Sequence, residues 1–160
     1  MARNLLIIAW LCIVTNYAYG ADVVKQTIDA YGVKIVVINT DDGHVDKLFV
    51  NNKEIDEDAF IEIKSIKPTP EDVLAAYIVS SDAGGSGTMP GYSLLTVSKE
   101  KQVSFFYAGY GEPKSIHSDG KSIVMKFPAL HNRFDHSMTE PAQTVTYSKG
   151  KITTKKGKMK

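Results

Sequence analysis

Turn signals recur every eight to twelve residues along this chain, and that spacing constrains its fold more than any other feature. Asp41-Asp42-Gly43-His44, Asn51-Asn52-Lys53, Ser98-Lys99-Glu100-Lys101, Ser118-Asp119-Gly120-Lys121 and Lys149-Gly150 separate short runs rich in Val, Ile, Tyr and Phe. Val33 to Asn39, Val45 to Val50, Phe60 to Ile66 and Ser122 to Phe127 read as strands. Tyr92 to Val97 with Val103 to Tyr107, and Gln143 to Tyr147 with Ile152 to Thr154, read as hairpins. Thr69-Pro70-Glu71-Asp72 has a capping hydroxyl, an early proline and early acids, so one helical turn is expected before a strand from Val73. No segment sustains a helical apolar period, which disfavours helical and βαβ folds. The expected class is all-β: an antiparallel β-sandwich or barrel of about eight to ten strands with at most one short helical turn. Its expected core holds Ile35, Val37, Leu48, Ile61, Ile63, Leu95, Val97, Phe105, Ile123, Met125 and Val145.

The first twenty residues follow a different rule. A short positive start at Arg3, an apolar run from Leu5 to Val14 and small residues at Ala18 and Gly20 predict a signal peptide over 1–20. The ten apolar residues span about half of a hydrocarbon core, too little for an anchor. A periplasmic or secreted protein with no transmembrane segment after cleavage is expected, with one β domain over 21–150 and a basic tail over 151–160. Cleavage would remove Cys12 and Trp10, and with Cys12 every disulfide, thiol nucleophile and thiolate zinc site.

The chain carries a formal net charge of +1, which gives no global reason to expect nucleic acid. The distribution is uneven. Ala21 to Asp82 holds 13 acids against 6 lysines, whereas the last twelve residues hold six lysines and no acid. That tail reads as a solvated terminus, with Lys155 to Lys160 dispensable for folding, although such a charge run suits anionic lipid, lipopolysaccharide or nucleic acid.

Two stretches break the strand pattern, 82–91 and 128–142, and long irregular loops are where a β scaffold places function. The first is glycine-rich, but Gly87-Thr88-Met89-Pro90 lacks the lysine and helix of a phosphate loop, and a nucleophile elbow around Ser86 lacks its second glycine. The second holds His131, Arg133, Asp135 and His136. Two histidines and an aspartate on one loop fall short of the three well-placed ligands that zinc needs, so no metal and no cofactor are expected. Arg133 offers the planar donor fork that suits a carboxylate. The candidate binding residues are Ser86, Gly87, Tyr92, Tyr110, His131, Arg133, Asp135 and His136, lining one end of the domain. Acids at Asp41-Asp42 and Asp56-Glu57-Asp58 read as exposed turn residues.

Asp82 to Tyr92 followed by Ser93-Leu94-Leu95-Thr96, Gly111 to Phe127, and the closing Tyr147-Ser148-Lys149-Gly150-Lys151 together resemble small uncharacterised exported proteins of Gram-negative bacteria. Ser86-Gly87 and Tyr92 are also similar to the loop that periplasmic lysozyme inhibitors, small β-barrels, present to their target. The leading expectation is a non-catalytic binding or interaction protein of the envelope, and the second resemblance implies an inhibitor or immunity-type protein as one form of it. Its partner would be another protein or an envelope component. The alternative is a hydrolase or metal-dependent enzyme built on the His131–His136 loop.

Overall fold

The computed structural model describes residues 22–40, 43–82, 89–131 and 137–158. The expected signal peptide lies outside them, and no helix among the described residues is long and apolar enough to cross a membrane.

The all-β expectation holds. Fourteen strands form among the described residues, and every pairing is antiparallel. The first sheet is a meander of β1 (Val23–Ala30), β2 (Val33–Asn39), β3 (Asp46–Val50) and β4 (Lys53–Asp58). The central sheet is a second meander, of β5 (Phe60–Ser65), β6 (Val73–Asp82), β7 (Gly91–Ser98) and β8 (Val103–Tyr110). The third sheet runs β14 (Lys151–Lys156), β13 (Gln143–Ser148), β10 (Ser122–Phe127), β9 (Ser115–Ser118). A two-stranded ribbon, β11 (Leu130–His131) and β12 (Met138–Glu140), is inserted between β10 and β13. None of these sheets closes into a barrel.

Local turn chemistry sets the tight hairpins. Tyr31-Gly32, Asn51-Asn52 and Lys149-Gly150 are two-residue connections in which both residues have positive φ. That is the primed turn whose twist matches paired strands, and it favours Asn and Gly. At Thr69 to Asp72 the expected helical turn is instead a plain reverse turn: Val73 N–H bonds the Pro70 carbonyl at 3.1 Å and β6 starts at once. Once Val73 is committed to pairing with Ser98, the backbone has no room to continue helically.

Burial explains the layering. In β2 and β3 inward residues alternate with outward ones, as in sheets covered on one face. In β6 and β7 burial is nearly continuous, so both faces of the central sheet are covered. One face gives Ala75, Tyr77, Val79, Leu95 and Val97 to a core shared with Ile35, Val37 and Leu48 of the first sheet. The other gives Ala76, Ile78, Leu94 and Ala108 to a core shared with Ile123, Met125, Phe127, Val145 and Tyr147 of the third. The protein is therefore a three-sheet sandwich with two cores. Ten of the eleven expected core residues are buried, and Phe105 packs against the first core while partly exposed.

The strand count exceeds eight to ten because β1, β4, β9, β11 and β12 lack strong apolar alternation and are recruited by neighbouring edges. The tail boundary at residue 150 also moves. Lys151–Lys156 pair with β13 over its full length, Ile152 packs against the second core, and Gly157 N–H bonds the Ala142 carbonyl at 2.7 Å.

Side chains from the first sheet cover the exposed edge of β5. Asp46 Oδ2 accepts the Ile61 N–H at 2.8 Å, while the Gln26 amide donates to the Ile63 carbonyl at 3.0 Å and accepts its N–H at 3.3 Å. Edge groups that would otherwise template another strand are thereby occupied.

Candidate functional site

Two clefts lie at the end of the central sheet where β6 stops and β7 begins, one on the face toward the first sheet and one along the β5 edge. On the face toward the first sheet, a cavity of about 470 Å³ is lined by Asp56, Asp58, Ser81, Met89, Gly91, Ser93, Phe105, Tyr107 and Tyr110. The other cleft, about 560 Å³, runs along β5 past Lys25, Gln26, Phe60, Glu62, Ser80, Asp82, Pro90 and Tyr92. The larger cleft is the weaker candidate, because its main polar groups already serve the fold. Lys25 is paired with Asp46 and reaches the Phe60 ring at 5.8 Å, and Gln26 caps Ile63.

The 470 Å³ cleft differs. Asp56 and Asp58 come from β4 opposite Leu48 and Asp46, so alternation turns them to the inner side. Each caps the following backbone N–H, of Glu57 at 3.1 Å and of Ala59 at 2.8 Å. Neither forms an ion pair among the described residues; the nearby Lys47 is held by Glu54 and Glu57 on the outer side. Burial, and then the neighbouring Asp58 charge, raise the Asp56 carboxyl above its ordinary value, although the Glu57 N–H opposes them.

The opposite wall is aromatic. Tyr107 and Tyr110 stand on the same side of β8 with ring centroids 5.2 Å apart, and they are 55% and 50% exposed. Desolvation, then the hydrogen bond to Tyr110, push the Tyr107 phenol upward. Gly91 is paired with Tyr110, and a Cβ there would be in ordinary contact with Tyr110 Cε1 at 3.8 Å but crowd Ser81 Oγ at 3.2 Å. Met89, 46% exposed, forms the rim where the glycine-rich loop rejoins β7.

The sequence-predicted site is divided by this geometry. Tyr92 and Tyr110 lie at the same end of the domain on opposite faces of the central sheet. A bulge at Tyr92/Ser93 places Tyr92 opposite Gly109, and its ring packs edge-on against Phe127 at 6.1 Å. Tyr92 is therefore a partly buried sheet residue rather than a rim residue. His131 is exposed on β11 with Met138 as its register partner. Ser86, Gly87, Arg133, Asp135 and His136 lie outside the described residues. The flanks of the two loops do converge: a Cβ at Gly111 would meet Leu130 Cδ2 at 3.1 Å and Met89 Sδ at 3.9 Å. Among the described residues no three His, Cys, Asp or Glu side chains gather as ion ligands.

Reasoning from sequence missed Asp56, Asp58 and Tyr107 as members of one site. The acids of Asp56-Glu57-Asp58 read as a turn in the sequence, whereas Lys53–Asp58 (KEIDED) is a strand. The available signal was the Asn51-Asn52 pair, whose primed-turn chemistry demands a second strand immediately after it. No protein-family model, curated protein or solved structure matches this chain.

Proposed function

We propose that this is an exported, non-catalytic binding protein of the bacterial envelope that holds a protein partner at the Asp56–Tyr110 cleft. The observation that carries the reading is the pair of half-exposed tyrosines facing two carboxylates without cationic partners among the described residues. Aromatic faces opposite anionic groups suit a lysine or arginine side chain, through cation–π attraction and charge-assisted hydrogen bonds. Tyrosine also contributes large contact area at low entropic cost, as interface anchors do. The leader pattern over 1–20 supports export, and an inhibitor or immunity-type partner protein is a specific form of the same reading.

The test is a photo-crosslinking residue placed at Tyr110 in the exporting cell, with the same residue at Thr153 as the control. A discrete adduct is expected at 110, absent at 153, and lost when Asp56→Asn and Asp58→Asn are combined. No adduct at 110, or an adduct indifferent to both carboxylates, sinks the proposal.

A further inference from the structure

Independently of that cleft, the third sheet carries a second surface. Its inward residues Ile123, Met125, Val145 and Tyr147 are buried, so alternation turns Val124, Lys126, Thr144, Thr146, Thr153 and Lys155 outward. Lys126, Thr144 and Lys155 form one cross-strand row. At the end of that row Lys114, Lys126, Lys155 and Lys156 surround a cleft of about 410 Å³ floored by Phe127, Ala142 and Gln143, and no carboxylate lines it. All four lysines are exposed, and none has an ion pair among the described residues. Four ammonium groups around one cleft repel each other until anions enter it.

The rest of the molecule reinforces this surface. The sheets stack in chain order, so the first sheet, whose described residues 22–58 hold seven acids against four lysines, and the lysine-rich third sheet occupy opposite sides of the sandwich. A chain of near-zero net charge thus has an acidic side and a basic side, and such a dipole orients against a charged plane. The groups on the basic side are lysine point charges and threonine hydroxyls, with no arginine among the described residues to read base edges bidentately. A broad, sequence-blind phosphate surface matches that chemistry better than nucleic acid does.

We propose that the Lys114–Lys126–Lys155–Lys156 cleft and the threonine face beside it dock onto the phosphate headgroups of an anionic lipid bilayer, leaving the acidic first sheet pointing away. Each lysine near such a surface strengthens partitioning about fivefold, and the attraction is screened by salt.

The test is sedimentation with vesicles of phosphatidylcholine containing 30 mol% phosphatidylglycerol, using protein recovered from an exporting host and checked by mass. Binding is expected to those vesicles, not to phosphatidylcholine alone, and to vanish in 0.5 M salt. K126Q/K155Q should bind about 25-fold more weakly, from two such fivefold losses. K34Q/K53Q, which removes the same charge from the first sheet, should bind as the unaltered protein does. Absent vesicle binding, or equal losses in both double variants, overturns the proposal. So does tight binding of inositol hexakisphosphate or of a 20-base-pair DNA duplex without vesicle binding, which would identify a soluble polyanion as the ligand instead.

Discussion

Replacing Asp46 by alanine is expected to destabilise the protein by about 2–5 kcal/mol. Asp46 has no exposed surface, yet it carries a charge on the inner side of β3. Its Oδ2 accepts the Lys25 ammonium at 2.5 Å and the Ile61 N–H at 2.8 Å, and its Oδ1 accepts the Asn39 amide at 2.8 Å. Alanine leaves the Ile61 N–H without an acceptor at a covered sheet edge, which costs about 1–3 kcal/mol. Losing the charge-assisted bond from the Asn39 amide adds about 1.5 kcal/mol, the low end for a bond to a charged group because water can replace it at half-buried Asn39. The Lys25 side chain is 38% exposed, so water screens its pair and replaces part of it, and its share is about 0–1 kcal/mol. Urea unfolding at pH 7 of D46A, D46N, K25M and D46A/K25M separates these contributions. D46N keeps an acceptor for Ile61 and should lose about half as much as D46A, while K25M should lose less than about 1 kcal/mol.

The acid limb gives a second reading of the same site. Burial alone would raise the Asp46 carboxyl, but the bonds from Lys25, Asn39 and the Ile61 N–H outweigh it and hold the group below the ordinary 3.8. As pH falls, the unfolded aspartate takes up its proton before the folded one. The contribution of Asp46 is therefore complete above the ordinary value and is lost as pH drops through the lowered folded value. Stability of D46N should lack that part of the acid slope. A D46A cost below about 1 kcal/mol, or an unchanged acid limb in D46N, would show that these bonds do not hold β5 to the first sheet.

Four further outcomes follow from the fold. Ending the chain at Gly150 removes β14 and should lower the melting temperature by many degrees or abolish folding, whereas removing only 158–160 should leave it nearly unchanged. Tyr147→Phe deletes the 2.9 Å hydroxyl bond to Asp72 and should cost about 1 kcal/mol in urea. Burial and then the Asp72 hydrogen bond push the Tyr147 phenol up to about 12, so its stabilisation is lost as pH rises from the ordinary 10 toward that value; a spectrophotometric titration should lose one phenol step near that value in the phenylalanine variant. Leu95→Ala and Met125→Ala, one in each core, should each cost about 2–5 kcal/mol and still unfold in one transition by fluorescence and circular dichroism, because the central sheet belongs to both cores. Mass spectrometry of exported material should give a chain beginning at Ala21.

The fold was legible where apolar alternation or turn chemistry was strong. Ser122 to Phe127 matches β10 at both ends, and the Val33 to Val50 and Tyr92 to Tyr107 pairings appear as β2–β3 and β7–β8. What was not legible depends on tertiary partners. KEIDED has poor strand propensity and becomes β4 because β3 offers it an edge. KITTKK looks like a solvated charge run, yet all six residues pair with β13 and Ile152, the register partner of Tyr147, packs against the second core. The candidate site was half legible. Tyr110 was named, but a single-residue bulge at Tyr92/Ser93 decides which face each tyrosine takes, and no local pattern encodes that bulge.

Because the order of the sheets across the sandwich is their order along the chain, the molecule can be assembled from the first sheet onward as the chain is extended. The first meander acquires its cover when the second follows, and no finished layer has to open to admit a later one. The cost falls on the interval between residue 110 and the arrival of β10 and β13. During it Ile78, Leu94 and Ala108 present an uncovered apolar sheet to the surroundings. A chain clipped in that interval keeps this apolar face without its cover, which favours self-association. The time the chain takes to supply β10 and β13, more than equilibrium stability, then governs how much of it reaches the finished fold.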